Sequence, residues 1–215
     1  MMIFDLLGWL DGEGARRYLD LATKLFGEYD LIVGGVDPDT LDVDRLPISS
    51  AMAILPRVQV SDPFSIRTRK NAAVPFYKPA SLSEARRAAK VRCRYPISLL
   101  VNSTNIKFFD EGEILILSQN RFRPYVEVCI GEIFWRLSRV ERPLPLMHRF
   151  VSLLEHALKE GVEVVLSSCS TSEVLPVLGT QVDAVLLNLG FSRTERRTVL
   201  LVNPAEVLKR WISPA

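Results

Sequence analysis

Short apolar runs of strand length alternate with amphipathic helical stretches along nearly the whole chain, and that alternation leaves few architectures open. "MIFDLL" (2–7) reads as a strand, "ARRYLDLATKLF" (15–26) repeats apolar residues at helical spacing, and "YDLIVGGV" (29–36) is a β-rich run closed by glycines. Further strands are expected at 51–55, 73–77, 97–101, 113–117, 126–130 and 162–166. Most are apolar at consecutive positions, the character of parallel strands covered by helices on both sheet faces. About eight such strands interleaved with helices predict an α/β fold, a somewhat irregular TIM-like β/α barrel, with a doubly wound open sheet as the other arrangement. No Ser-, Gly- or Pro-rich linker and no internal repeat divides the 215 residues, so one domain spanning 1–215 is expected.

Helix ends are marked locally. Ser81 with Glu84, and Ser192 with Glu195, have capping-box spacing, in which the Ser hydroxyl and the Glu carboxylate satisfy backbone N–H groups that a helix start leaves unpaired. "HRFVSLLEHALKEG" (148–161) places Phe150, Leu153, Leu154, Ala157 and Leu158 on one stripe before Gly161, and 180–190 forms a shorter helix ending at Gly190. Asn203, Pro204 and Glu206 read as a second start directly after the 192–195 one.

Charge is unevenly spread. Residues 1–50 hold 4 Lys or Arg against 10 Asp or Glu, whereas residues 57–94, from Arg57 to Arg94, hold 10 basic residues against Asp62 and Glu84. Of 27 basic residues, 20 are Arg, whose planar fork grips phosphate oxygens in pairs and stacks on bases. High-temperature adaptation favours charged residues as well, so the Arg bias alone does not assign a partner. Four clusters set cations close together: "IRTRK" (66–70), "RRAAKVRCR" (86–94), "RFRPY" (121–125) and "RRT" (196–198). Two have Phe or Tyr nearby for stacking, a composition that fits nucleic acid.

Catalytic constellations are not evident. His148 and His156 stand eight apart on one helix, too far for a helical metal pair. "DPDTLDVD" (37–44) lacks the Gly and Glu positions of a calcium loop and reads as a solvated acidic loop. "LSSCST" (166–171) brings hydroxyls to a strand end without an accompanying base, and Gly34 and Gly35 read as turn glycines. Cys93, Cys129 and Cys169 have neither zinc spacing nor a disulfide framework and are expected as buried small side chains. No apolar run is long enough to span a bilayer and no leader pattern opens the chain, so a cytoplasmic protein is expected.

From about residue 112 to 211 the chain resembles ribonuclease P protein component 3, the archaeal counterpart of the eukaryotic thirty-kilodalton subunit. "YVEVCIGEIF" is similar to that family's Val-Glu-Ile-like strand, with Glu127 in the acidic place. "HALKEGVEVVLSSCS" resembles its helix, strand and Ser-Ser-Gly-Ala turn, and "LNLGFSRTERRTVLLVNPAEVLKRW" its closing pattern. Cys169 stands where the family has Gly, and "VLPVLGTQVD" lacks the arginine expected after the turn. Residues 38–110 carry no match.

The resemblance implies a barrel of the polymerase-and-histidinol-phosphatase type without its metal ligands, and a subunit with no chemistry of its own. Its partners would be ribonuclease P RNA, precursor tRNA indirectly, and the small RRM-like protein component 2. Magnesium would sit on the RNA, with no cofactor held by the chain and no membrane contact. The residues expected at RNA are Arg67, Arg69, Lys70, Arg86, Arg87, Arg121 and Arg123, with Arg193, Arg196 and Arg197 next. The rival readings are a small-molecule barrel enzyme holding a phosphorylated substrate on the strand-end hydroxyls, or a protein-interaction scaffold.

Overall fold

The computed structural model describes residues 2–26, 30–36, 52–65, 73–93, 95–139, 141, 143–177 and 179–212. Seven parallel strands, β1 (Met2–Trp9), β2 (Asp30–Val36), β3 (Met52–Gln59), β4 (Val74–Tyr77), β5 (Ser98–Val101), β6 (Tyr125–Cys129) and β7 (Val164–Ser167), follow one another in sequence order across a single sheet. The sheet curls until its edges meet. Backbone N–H groups of Cys169 and Ser170 donate to Leu7 and Gly8 carbonyls, each at 2.8 Å, and Leu10 N–H donates to the Ser170 carbonyl at 2.9 Å. Both edges are thereby nearly closed, the arrangement of a TIM-like barrel.

Helices α1 (Gly12–Phe26), α2 (Leu82–Ala88), α3 (Glu111–Ser118), α4 (Ile130–Leu137) and α5 (Leu144–Glu160) lie between strands, and α6 (Gly179–Asn188), α7 (Arg193–Arg197) and α8 (Asn203–Ile212) follow β7. The largely apolar strands behave as their sequences require: β5 and β7 are buried at every position. One large cluster packs α5, through Phe150, Leu153, Leu154 and Ala157, against Leu99, Val101, Val126, Val128 and Val164. Inside the barrel, Val207 of α8 reaches Leu6, Tyr125 and Val165, so α8 closes the end from which the strands start.

Five local expectations are corrected. "EILIL" at 113–117 lies within α3, because Asp110 caps the segment by accepting from Glu113 N–H at 2.8 Å. Five apolar residues cannot by themselves distinguish a buried helix from a buried strand. α8 begins at Asn203 as expected, but Asn203 is not its N-cap: α7, a π-helical turn at Thr198–Val202 and α8 run on without a break, and Asn203 N–H donates to the Thr198 carbonyl. The wide turn relieves the crowding that Pro204 imposes on the carbonyl four residues back. The Asn203 side chain instead donates to the Val164 carbonyl at 2.9 Å.

Gly34 and Gly35 lie inside β2, where a Cβ would collide with the Leu6 backbone and the Trp9 ring respectively. They provide room for close packing, and the Trp9 indole N–H donates to the Val36 carbonyl at 3.1 Å. Cys129 and Cys169 are joined in a buried disulfide, while Cys93 is a buried thiol outside that bond. The two cysteines are 40 residues apart, and only barrel closure brings their Cα atoms to 5.3 Å. Cys169 also takes a left-handed backbone, φ 49°, at the position where the resembling family carries Gly. The fifth correction concerns Arg57, counted among the basic residues of 57–94, which is buried inside the barrel.

Candidate nucleic-acid interface

Arg57 explains why a barrel strand can carry a glutamate. Its guanidinium donates to Glu127 through Nη2 at 2.6 Å and Nη1 at 3.3 Å, and Nη1 also reaches the Leu6 carbonyl. Ser98 and Ser167 hydroxyls donate to the two Glu127 oxygens at 2.5 and 2.7 Å. Both charged side chains are 0% exposed. Burial opposes charge on Arg57, but the Glu127 carboxylate and Tyr125 outweigh it and hold the guanidinium above its ordinary range. Neighbouring Asp5 accepts from Ser168 N–H at 3.0 Å, and burial pushes its carboxyl up to about 6. The sequence signal for this network was Glu127 alone, a charge amid buried apolar residues that demanded an unseen partner.

The same geometry consumes the strand-end hydroxyls. Ser167 serves Glu127, Ser168 donates to the Val177 carbonyl at 2.7 Å, and Ser170 donates to the Val174 carbonyl at 3.0 Å. All three serines are at most 1% exposed. They hold the barrel and its closing loop rather than lining an open anion site.

Of the residues expected at RNA, Arg67, Arg69 and Lys70 lie outside the described residues, as does the acidic loop 37–44. Arg86 and Arg87 project from α2, started by Ser81, whose hydroxyl accepts from Glu84 N–H at 3.2 Å. With Leu82, Ser83 and Lys90 they line an open groove of about 510 Å³. Arg87 pairs with Asp62 at 3.1 Å and covers the Phe64 ring at 4.9 Å, and Arg86 stands 4.0 Å from Asp110.

A second cluster adjoins the first. The turn after α3 carries Arg121 and Arg123, and the intervening connection is made by Asn120, whose amide donates to Ala89 and Val91 carbonyls at 2.7 and 2.8 Å. Two basic stretches some thirty residues apart are thereby tied at the end of α2. Arg121 rests over the Phe122 ring at 4.9 Å. Arg123 is exposed and takes φ 47°, with its carbonyl held by Arg210 Nη1 at 2.9 Å.

The α7 arginines divide. Arg193 and Arg197 are exposed, but Arg196 is internal: Nε donates to Asp183 at 2.8 Å, Nη1 to the Phe191 carbonyl at 3.1 Å, and its side chain is 13% exposed. The capping box itself is complete, Ser192 N–H donating to Glu195 at 2.7 Å.

Glu113 lies at the α2–α3 contact, wholly buried, with neither carboxyl oxygen hydrogen-bonded among the described residues. Burial first and Asp110 second push its carboxyl up to about 7, against the opposing pull of Arg86 and Lys90. The folded chain thus binds more protons than the unfolded chain between the ordinary value of 4.5 and about 7. Stability from this group is greatest below that window and is lost as pH rises through it. Glu113→Gln is expected to stabilise the protein at pH 8 by up to about 3 kcal/mol, converging with the unsubstituted chain at pH 4, as denaturant titration at both pH values would read. Equal stability of the two proteins at pH 8 would contradict the buried charge.

No family model matches the chain, and no curated protein sequence matches it. Its fold is similar over nearly its full length to a chain in the cryo-EM structure of archaeal Ribonuclease P with mature tRNA. The TM-score is 0.68 at 13% identity, covering 99% of this chain and 93% of that one.

Proposed function

We propose that the chain is a noncatalytic, RNA-binding subunit of ribonuclease P that supports the catalytic RNA in removing the 5' leader from precursor tRNA. The observation that carries this reading is the whole-length likeness to a chain of an archaeal ribonuclease P bound to tRNA, in agreement with the motif resemblance of residues 112–211. The exposed arginines of the α2 groove, the 121–123 turn and α7 supply cations for phosphate, whereas the interior polar groups are spent on one another. In this reading the protein partner is the RRM-like component 2, the magnesium ions belong to the RNA, and the complex works in the cytoplasm. Among the described residues, no helix is long and apolar enough to cross a membrane. The phosphorylated-substrate enzyme is disfavoured because its strand-end serines are buried and engaged internally.

Tagged purification from the native cell, followed by sequencing of bound RNA, is expected to recover ribonuclease P RNA. With that RNA in vitro, about five phosphate contacts should reduce affinity a few hundred-fold between 50 and 200 mM salt. Recovery without RNA, or salt-independent binding, would remove the proposal.

A further inference from the structure

In a barrel of parallel strands, the segments that precede the strands share one end. Lys90 and Arg92 precede β5, Arg121 and Arg123 precede β6, and Glu163 precedes β7. Helix α8 spans that end, with Val207 turned into the barrel, and its Arg210 joins the Arg123 carbonyl and the Glu163 carboxylate. Lys209 beside it is exposed, as are Lys90, Arg92, Arg121 and Arg123. Among the described residues none of these five cations has an acid within ion-pair distance. Among the described residues the acids at this end are Glu163, committed to Arg210, Asp20, paired with Lys24, and Asp30 at the start of β2, with Glu160 and Glu206.

The opposite end mixes signs. Asp11, Glu13, Asp62, Glu132 and Glu173 follow strands there, together with Lys78 and Lys107. Cations near helix C-termini also offset helix dipoles, which accounts for Lys90 and Lys209 without any ligand. It does not account for Arg92, Arg121 and Arg123, which lie in connecting segments. Nor does it account for Arg123 keeping a left-handed backbone that a glycine would adopt freely.

We infer that this strand-start end of the barrel, which carries Lys90, Arg92, Arg121, Arg123 and, on α8, Lys209, receives the phosphodiester backbone of RNA, with the strand-exit end turned away. The inference rests on the RNA-subunit reading and adds the face to it. Cations on three separate segments, tied by the Asn120 bridge and by Arg210, form a set suited to successive phosphates. The absence of strand-exit chemistry is not required, since backbone contacts position an RNA without reading its bases.

The test uses the full chain with two probes, an archaeal ribonuclease P RNA transcript and a precursor tRNA transcript, in filter binding across a salt series. Arg92→Ala, Arg121→Ala and Arg123→Gly are each expected to weaken binding several-fold and lower the log–log salt slope by about 1; the triple variant should lose about 100-fold. Arg123→Gly is the decisive single change, because it relieves the backbone and should leave the thermal midpoint unchanged or higher while weakening RNA binding. Lys78→Ala with Lys107→Ala, at the other end, should leave affinity within twofold. Wild-type affinity in the triple variant, or equal loss in the Lys78 and Lys107 pair, overturns the inference. Rim-dependent binding of precursor tRNA without binding of ribonuclease P RNA keeps the face and rejects the subunit reading. No binding of either probe by the unsubstituted chain rejects both.

Discussion

Glu127→Gln is expected to destabilise the protein by about 3–5 kcal/mol, because it leaves the Arg57 guanidinium charged inside the barrel with no countercharge. At this chain length that corresponds to a fall of about 10 °C in the thermal midpoint. The amide keeps the shape of Glu127 but cannot accept from Arg57, Ser98 and Ser167 in the same pattern, so hydrogen bonding is lost with charge. Arg57→Met should be costly for the reciprocal reason, a buried carboxylate left with two serine donors. Combining Arg57→Met with Glu127→Leu removes both charges, so the pair should cost markedly less than the sum of the two single changes. Additive losses in a double-mutant cycle, or a shift under 3 °C for Glu127→Gln, would show that the two side chains do not depend on one another.

Breaking the Cys129–Cys169 bridge is the second large effect. Closing a loop of 40 residues restricts the unfolded chain, a contribution of about 3–4 kcal/mol in the chain-entropy account. Cys129→Ser should lose that amount. Cys169→Gly breaks the same bond but also frees a left-handed backbone position, so its loss should be smaller by about 1 kcal/mol. Denaturant titration of both variants with and without reductant provides the comparison. Reductant should lower the stability of the unsubstituted chain and leave both variants unchanged. An unsubstituted chain indifferent to reductant, with three titratable thiols after unfolding, would show that the bond does not form.

Local signals carried most of the architecture. Six of the expected strands before β7, less the 113–117 run, appear where period and composition place them, and β7 begins two residues inside its expected range. The Ser81 and Ser192 caps and the left-handed stops at Gly161 and Gly190 follow from short-range hydrogen bonding that needs no tertiary information. Where the reading failed locally, two local solutions competed. Residues 113–117 suit a buried helix as well as a buried strand, and α8 starts where Asn203–Pro204 places it but follows a π turn, so Asn203 serves the barrel instead of capping.

The candidate interface was legible as four basic stretches but not as a surface. Sequence spacing could not distinguish Arg57 and Arg196, which pair with acids within the fold, from Arg121 and Arg123, which form no ion pair among the described residues. Nor could it join the 86–94 stretch to the 121–125 stretch, since Asn120 gives no sign that its amide will find the end of α2.

Sequence by itself determined most of the elements, their order and the α/β class, because periodicity, caps and glycine stops act within a few residues, whereas closure of the sheet into a barrel was left beside an open sheet. Tertiary structure alone decided the Arg57–Glu127 pair, the Cys129–Cys169 bond and the Asn120 link between two basic stretches. Those depend on residues 70, 40 and about 30 positions apart meeting when the sheet closes, and no local free energy encodes such meetings.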